Sequence, residues 1–470
     1  MADPLERLST SLFQSQILRL FSIGLLALVL LIPIGMISGL ISERQARRES
    51  TVEEIASKWG RTQHLSGPAL VVPYTIRWAE TGSGGQTIPR SETHTAVFLP
   101  DTVSLRGTIH SETRQRGIFS VPVYRLDLRV EGEFAKPDFA ALGLDKAEIA
   151  WDRAHLAVGL SDARAIQQET DVRWNGAPVP FLPGNGGLAE ASPGIHAVVD
   201  LSTEEPASAT PAQPPSAKAP DRFRFEFPLA LNGSVAVYFA PFGKQTEVLL
   251  SADSGNPTFQ GNWLPTDRKI TANTFEARWS IPFLGRNFPQ AWKSTTPMQE
   301  SIDAARFGVG FIDPVDHYRM AERSVKYASL FILLTFATIW LVEILAGLRV
   351  HPIQYLMLGG ALCLFYLLEL SLAEHIGFPA AYALASLSII AMITAYSAVA
   401  LGSRPRALVV GTGVALLYGY LYVLLNNEDY ALLIGSLGLF AILAAIMYAT
   451  RKIDWYTVGR GATLGAATEP

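Results

Sequence analysis

The feature that most constrains this chain is the placement of its apolar residues, which lie in two separate blocks. One apolar run covers residues 17–41, and a denser block of runs covers residues 329–447. The residues between them, 42–326, are far more polar. Because about 20 apolar residues in a helix cross about 30 Å of hydrocarbon, both blocks predict membrane-spanning segments, with one large aqueous region between them.

The composition fits a membrane protein with a single aqueous region. Charged residues make up 17% of the 470 residues, against about 25% in soluble domains, and the deficit lies in the two apolar blocks. The formal net charge of −4 gives no basis for a nucleic-acid partner. The single cysteine, Cys363, lies inside an apolar run, so the aqueous region has no disulfide and no cysteine-bound metal. No cofactor or metal is expected.

The first apolar run is interpreted as an uncleaved anchor that follows a short N-terminal tail, residues 1–16. A signal peptide has an apolar core of only about 7–15 residues and a small-residue cleavage site, whereas residues 17–41 are longer and no such site follows. Residues 42–60 are charged, favour helix and end at a glycine. They are therefore predicted to continue the membrane helix outward.

The middle region, residues 42–327, is predicted to be β-rich with a sandwich or barrel-like fold. Its short segments are rich in β-branched and aromatic residues, several alternate polar with apolar, and turn signals separate them, as is typical of strands. These segments cover residues 70–76, 95–99, 103–109, 126–130, 155–160, 223–227, 234–239 and 247–251. A Pro/Ala/Ser linker at 203–220 separates possible halves at 61–190 and 221–313. Two β domains and two halves of one sheet assembly both remain open.

Motifs for chemistry are missing from the aqueous sequence. It contains no HExxH, GxSxG, P-loop or GxGxxG pattern, and its histidines are scattered. The protein is therefore predicted not to be an enzyme. The most distinctive string is GIFSVPVY at 117–124, interpreted as an apolar strand with a proline near an edge or bulge, and its Tyr124 is kept as a candidate functional residue.

The second apolar block predicts a five-helix transmembrane bundle over residues 328–450. Its spans are expected at 328–347, 353–371, 378–401, 407–425 and 430–449. Basic residues occur in alternate connections: Arg349, then Arg404 and Arg406, then the C-terminal tail 451–470. By the positive-inside rule, these connections and both termini are cytoplasmic, and residues 42–327 are periplasmic.

Three arginines after the first span, Arg44, Arg47 and Arg48, taken alone favour the opposite orientation. Long domains translocate largely regardless of charge, so the alternation in the bundle decides the prediction. On a helix that extends outward, these arginines are expected to pair with Asp316 or Glu322.

Polar residues in or beside the spans are the remaining candidates for function. At the predicted periplasmic end of the bundle the candidates are Glu369, Glu374, His375, Asn426 and Asp429, and at the other end they are His351 and Tyr355. Glu369 and Glu343 lie near span ends, so anchoring in the interface is favoured over a proton or substrate site. Tyr355 is interpreted mainly as an interface or packing residue.

Several strings in this chain resemble the CreD family, also called the cell envelope integrity protein family. They include ERQARRESTVEEI, RGIFSVPVY, FPLALNGS, PVDHYRMAERSVKY, LLNNEDYALLIGS and RKIDWY, in order between residues 43 and 456. The resemblance implies an inner-membrane protein of Gram-negative bacteria, associated with a two-component system and with envelope stress or the β-lactam response. It supplies no catalytic residues to transfer.

The leading hypothesis is a non-enzymatic, multi-pass inner-membrane protein that supports envelope integrity. Its partners would be the lipid bilayer and an envelope protein or a peptidoglycan or lipid component, which the β domain would engage. The alternative is a membrane-embedded enzyme, or a carrier of lipid or small molecules, with its site at the periplasmic end of the bundle. The oligomeric state is open.

Overall fold

The computed structural model describes residues 16–81, 87–188, 193–202, 222–311, 317–346, 348 and 350–451. The chain forms two compact units, Met1–Arg48 with Val315–Pro470, and Glu49–Pro314. In its described part the first unit is helical and the second consists mainly of β-strands. The linker predicted at 203–220 and the loop residue Arg349 lie outside the described residues.

Six helices among the described residues are long and apolar enough to cross a membrane, as the sequence predicts. These are α1 and α4 to α8, and two shorter helices lie between them. The described helices are α1 (Gln16–Trp59), α2 (Gln299–Ala304), α3 (His317–Lys326), α4 (Ala328–Ala346), α5 (Pro352–Ile376), α6 (Phe378–Ala400), α7 (Arg404–Asn426) and α8 (Ala431–Thr450).

Helix α1 continues from the first apolar run through the charged segment to Trp59, which confirms the predicted extension. Its polar part carries Arg47–Glu43 and Lys58–Glu54 ion pairs of 2.7 and 2.8 Å, and such pairs one turn apart support a helix. Gly60 follows the last helical residue and has a φ of 141°, a conformation that L side chains rarely adopt.

The β region contains two sheets among the described residues. One runs in the order β14-β18-β12-β1-β6-β10-β9, with β2 and β5 also paired to β1 and β17 paired to β2. Its strands are β1 (Gln63–Thr81), β2 (Thr87–Phe98), β5 (Glu148–Ile149), β6 (Ala154–Leu160), β9 (Leu182–Pro183), β10 (Gly194–Val199), β12 (Ala236–Phe239), β14 (Thr258–Gly261), β17 (Ala291–Lys293) and β18 (Phe307–Gly310).

The second sheet runs in the order β15-β16-β13-β3-β4-β11-β7-β8. Its central pairs are the long hairpin of β3 with β4 and the antiparallel partner β11. Its strands are β3 (Thr102–Arg116), β4 (Phe119–Ala135), β7 (Asp171–Trp174), β8 (Ala177–Pro180), β11 (Arg222–Ser234), β13 (Gln245–Ala252), β15 (Asp267–Ile270) and β16 (Phe275–Pro282).

Both sheets contribute to one hydrophobic core. Leu70 and Leu156 of the first sheet and Leu105 and Phe227 of the second belong to the same buried cluster. Each sheet can bury one face in this core because its strands alternate. The residues of β16, for example, alternate strictly between buried and exposed, as one-sided burial of a strand requires. The described strands form open sheets and not closed barrels, so the β-rich prediction is confirmed without barrel closure.

Each sheet combines strands from both sides of the 203–220 segment. Strand β1 pairs in parallel with β12, and β3 pairs in parallel with β13. Parallel pairing joins stretches that are far apart in sequence. The sheets therefore do not correspond to the two sequence halves, 61–190 and 221–313.

The chain enters and leaves the β region beside the same turn. The backbone amide of Ser234 donates to the carbonyl of Arg61 (3.3 Å), and the amide of Phe311 donates to the carbonyl of Val235 (2.7 Å). Val235 has a φ of 66° and separates β11 from β12, so the predicted strand at 234–239 is interrupted here. The two ends of the β region are thus held by adjacent residues.

Candidate functional site in the helix bundle

The carboxyl group of Glu369, on α5, is enclosed in the helical unit. Its side chain is 0% exposed, and its Oε2 accepts a hydrogen bond of 2.8 Å from Ser324 Oγ on α3. Its other oxygen, Oε1, is buried and has no hydrogen-bond partner among the described residues. The prediction that Glu369 reaches the membrane interface is therefore wrong.

Aromatic side chains surround the Glu369 region. Tyr366 lies three residues earlier on the same helix, and its buried hydroxyl has no hydrogen-bond partner among the described residues. The ring of Phe365 lies 4.5 Å from that of Tyr418 and 5.4 Å from that of Tyr382, centroid to centroid. The Tyr382 hydroxyl donates to the Tyr418 carbonyl at 2.6 Å. Because the hydroxyl of Ser324 is a neutral donor, it offsets little of the cost of an ionised carboxyl group in such surroundings.

Glu374, one to two turns further along α5, forms a second polar contact with α3. The Tyr318 hydroxyl donates to its Oε1 at 2.8 Å, and Arg44 Nε on α1 lies 4.0 Å from the same oxygen. Burial, and next the bond to Glu374, raise the pKa of Tyr318 above its usual value, so the phenol stays protonated and donates. Helix α3 is thus bonded to two glutamates of α5.

For Arg44 and Glu322, the observed ion pairs are not the predicted one, while pairing with Asp316 stays a prediction. Arg44 pairs with Glu374, and Glu322 forms an ion pair of 3.0 Å with Lys326 on its own helix. Glu322 therefore has its partner one helical turn away, on α3 itself. Asp316 lies outside the described residues.

The end of α7 is held by Arg323 of α3. One guanidinium nitrogen donates to the Leu424 carbonyl at 3.3 Å, and another lies 3.6 Å from Glu428 Oε2. Cations beside the last carbonyls of a helix offset its unpaired acceptors and its dipole. Arg323 therefore fixes α3 to a third helix.

Three predicted residues near this end lie outside the buried cluster. His375 and Asn426 are exposed, and each bonds a carbonyl of its own helix, at Ser371 (3.0 Å) and Tyr422 (3.0 Å). Asp429 is exposed as well. The structure thus brings Glu369 and Glu374 together through α3 but leaves the other three on the surface of the unit.

The remaining candidates lie elsewhere. His351 is exposed and caps the start of α5, accepting a bond from the Ile353 amide in a capping box with Gln354. The Tyr355 hydroxyl donates to Glu343 Oε2 at 3.0 Å in a buried contact, so Glu343 is not an interfacial anchor either. At about 1.5 Å per residue, Tyr355 lies roughly 21 Å from Glu369 along α5.

Tyr124 belongs to the core of the β unit. Its side chain is 1% exposed, and its hydroxyl donates to the Ala236 carbonyl at 2.8 Å. Its ring packs 5.2 Å from that of Phe311. Because its ring packs in the core and its hydroxyl has a hydrogen-bond partner there, Tyr124 has a structural role.

Sequence reasoning missed the residues that complete the buried cluster, namely Ser324, Tyr318 and Arg323. The available signal was the helical spacing of α3, whose buried residues are Tyr318, Ala321, Ser324 and Val325. This spacing marks one inward face of a helix. Among the described residues no group of three or more His, Cys, Asp or Glu is arranged to hold a metal.

In the described part of the chain, six apolar helices with a two-sheet β region between the first and the others define a multi-pass membrane protein. The sequence matches the family model described as "Inner membrane protein CreD" over residues 15–456. It is 30% identical over 431 residues to the inner membrane protein CreD of Escherichia coli (strain K12), covering 91% of each chain. The chain belongs to the CreD family of inner membrane proteins.

Proposed function

We propose that this protein supports the integrity of the cell envelope without catalysing a reaction. In this proposal the β domain lies in the periplasm and engages an envelope protein or a peptidoglycan or lipid component. Membership of an inner-membrane family supports the location. The observation that carries the proposal is the alternation of basic connections in the bundle, with Arg404 and Arg406 at the start of α7 and Arg451 after α8.

The orientation is tested with reporters in the full chain. A reporter fused after Pro470 is expected to report the cytoplasm, and one inserted within 203–220 the periplasm, because the basic connections stay inside. The same reporter placed before residue 16 is expected to report the cytoplasm as well. The opposite pattern would reject the periplasmic domain.

The envelope role is tested by deletion in the native host. Loss of the gene is expected to increase leakage of periplasmic proteins and sensitivity to β-lactams, and the wild-type chain is expected to restore both. Restoration by the helical unit alone, with residues 61–311 replaced by a short linker, would contradict a role for the β domain. Unchanged permeability and sensitivity in the deletion strain would reject the envelope role itself.

A second candidate function is favoured by one observation, the buried Oε1 of Glu369, which has no hydrogen-bond partner in the described part of the chain. Ionisable residues inside membrane helices are often functional, and this group is suited to hold a proton or a small polar ligand. The protein would then be a membrane-embedded carrier or enzyme with its site at the periplasmic end of the bundle. Glu369 and Glu374 would be its residues.

The two functions are separated by Glu369→Gln, with Glu43→Gln as the matched control on an exposed side chain. A folded Glu369→Gln protein that fails to restore the envelope while Glu43→Gln succeeds supports the second function. If both variants restore it fully at equal protein levels, the carrier or enzyme is rejected and the non-catalytic role stands.

A further inference from the structure

A small polar cavity lies in the β unit, and all the residues that line it belong to that unit. It has a volume of about 90 Å³. Its polar lining comes from four separate parts of the domain, which are β1, the residues after β6, the residues after β9, and the segment around α2. These residues are His64, Ser66, Ser161, Asn185, Gln299 and Arg306. Such a cavity has room for a group of a few heavy atoms.

Two nitrogens in this lining are buried and have no hydrogen-bond partner among the described residues, His64 Nδ1 and Arg306 Nε. Unsatisfied buried nitrogens are rare because each costs the full desolvation of a polar group. A terminal nitrogen of the same guanidinium pairs with Asp303. The Nε–H group of Arg306 therefore remains available to a ligand.

His64 lines the same cavity, and its ring is held by Tyr238. Its ring stacks on Tyr238 with the ring centroids 5.1 Å apart and an angle of 10° between the planes. Burial, together with the charge of Arg306, lowers the pKa of His64 to about 4. The imidazole is therefore neutral at neutral pH, and in the tautomer with hydrogen on Nδ1 it adds a second donor.

The cavity adjoins a much larger cleft of about 720 Å³. Leu188, Gln299 and Ile302 line both. The cleft has an apolar part at Trp292 and Met298, and a row of exposed hydroxyls at 294–296. A volume of this size is typical of sites for small organic ligands, with an apolar wall and a few placed polar groups.

The charges select the group that the cavity takes. The two unpartnered nitrogens, Arg306 Nε and His64 Nδ1, supply one N–H donor for each oxygen of a carboxylate. Asp303 already balances part of the Arg306 charge, so a singly charged carboxylate fits better than a doubly charged phosphate monoester. The hydroxyls and apolar side chains of the cleft suit the backbone and short side chains of a peptide.

We propose that the cavity binds the terminal carboxylate of a short peptide, with the rest of the peptide lying in the adjoining cleft. Arg306 Nε and His64 Nδ1 donate to the carboxylate, and Gln299 lies at the junction of cavity and cleft. This inference rests on the proposed function, since it names the chemistry through which the β domain would engage an envelope component.

The experiment uses the purified full chain in detergent micelles, with tri-alanine as the probe and tri-alanine amide as its uncharged match. Calorimetry measures affinity, and hydrogen–deuterium exchange locates the binding. Tri-alanine is expected to bind saturably and to protect the amides of α2 and of the first residues of β1. The amide form is expected to bind roughly ten- to hundredfold more weakly, since a charged hydrogen bond is lost.

Arg306→Gln is expected to lower the affinity for tri-alanine by the same roughly ten- to hundredfold factor. Arg306→Lys keeps the charge but lacks Nε, so it is expected to give the same loss of affinity. It serves as the second variant if Arg306→Gln folds poorly. Arg278→Gln is the matched control, because Arg278 pairs with Glu247 on the other sheet and its loss leaves the affinity unchanged.

Equal affinity for tri-alanine and its amide, equal affinity of the wild type and Arg306→Lys, or no saturable binding would overturn the proposal. In each case the cavity would hold water only. The reporter experiment tests the orientation of the β domain independently of this binding experiment. If the β domain is cytoplasmic but still binds tri-alanine through Arg306, the envelope function is rejected and the binding site is retained. If the β domain is periplasmic but does not bind, the binding site is rejected and the envelope function is retained.

Discussion

Ser324 and Glu369 form a 2.8 Å hydrogen bond between two side chains that are both 0% exposed. One residue lies on the short amphipathic helix α3 and the other on the long apolar helix α5. With the Tyr318–Glu374 bond and the Arg323 contacts to α7, this bond attaches α3 to the bundle. Helix α3 is therefore part of the fold of the helical unit and not a free linker.

Removal of the Ser324 hydroxyl is expected to destabilise the helical unit. In Ser324→Ala, Glu369 loses the hydrogen bond from Ser324 Oγ while it stays buried, which costs about 1–3 kcal/mol of the free energy of unfolding. Glu369→Ala adds a cavity and costs about 2–5 kcal/mol, whereas Glu369→Gln keeps the volume and an acceptor and costs less. Denaturant unfolding in mixed micelles measures all three.

The matched control is Ser388→Ala, since that serine is exposed on α6 and bonds a carbonyl of its own helix. We expect its unfolding free energy to stay within about 0.5 kcal/mol of wild type. Equal effects at Ser324 and Ser388 would contradict a specific role for the buried bond.

Loss of the Tyr355 hydroxyl is expected to weaken the other end of α5. Tyr355→Phe keeps the ring contact with Phe336, 5.3 Å between centroids, but removes the donor to buried Glu343. The expected cost is about 1–3 kcal/mol, measured by the same unfolding experiment. Tyr430→Phe, at a tyrosine that is 63% exposed, is the control, and a loss at Tyr430 as large as at Tyr355 would count against this explanation.

Gly233 is expected to tolerate no side chain. A Cβ there would lie 2.2 Å from the Tyr124 ring, and that ring is fixed by the bond to Ala236 and by burial. Overpacking of this kind typically costs about 1–3 kcal/mol, so Gly233→Ala should lower the melting temperature of the β domain. In Gly285→Ala the new atom would have contacts of 3.6 Å or more, so no change is expected, and a similar loss there would show that the assay does not resolve packing.

The stability of the β domain is expected to fall as the pH is lowered from 6.5 towards 4. The pKa of His64 is lowered to about 4, by burial first and then by Arg306, with Asp303 acting in the opposite direction. Burial also lowers the pKa of His155. The unfolded chain therefore gains protons in this range that the folded chain does not, which favours unfolding.

His64→Phe keeps an aromatic ring beside Tyr238 and removes the titration. At pH 5 the His64 contribution is on the order of 1 kcal/mol once solvent screening is considered. The comparison is the difference in unfolding free energy between pH 7.5 and pH 5 for the variant and the wild type. An equal pH dependence in both would mean that His64 is not a source of the acid sensitivity.

Much of the architecture is predictable from local patterns. The charged stretch after the first apolar run favours helix and ends at a glycine, and α1 ends at Trp59. The predicted strand segments fall almost entirely within observed strands, because one-sided burial leaves an alternating pattern in the sequence. The partners of those strands do not follow from such patterns, and the parallel pairs β1–β12 and β3–β13 were not predicted.

The candidate site was predictable only in part, for a physical reason. The position of Glu369 within its apolar run indicates how far along the helix it lies, but not which side of the helix faces other helices. Its burial depends on Ser324 and on the surrounding rings, which come from separate helices. Likewise, the contact of Arg44 with Glu374 joins the first helix to the third spanning helix, and no local pattern encodes such a pair.

The hydrogen bonds of Ser234 to Arg61 and of Phe311 to Val235 involve adjacent residues, so the first and last segments of the β domain lie close together. A domain whose two ends meet can be removed from a chain, or inserted into one, with little change in the distance that its neighbours must span. Evolution could thus exchange or enlarge this domain while the helices around it stay the same. A fragment of residues 61–311 therefore has its two termini close together, which suits circular permutation.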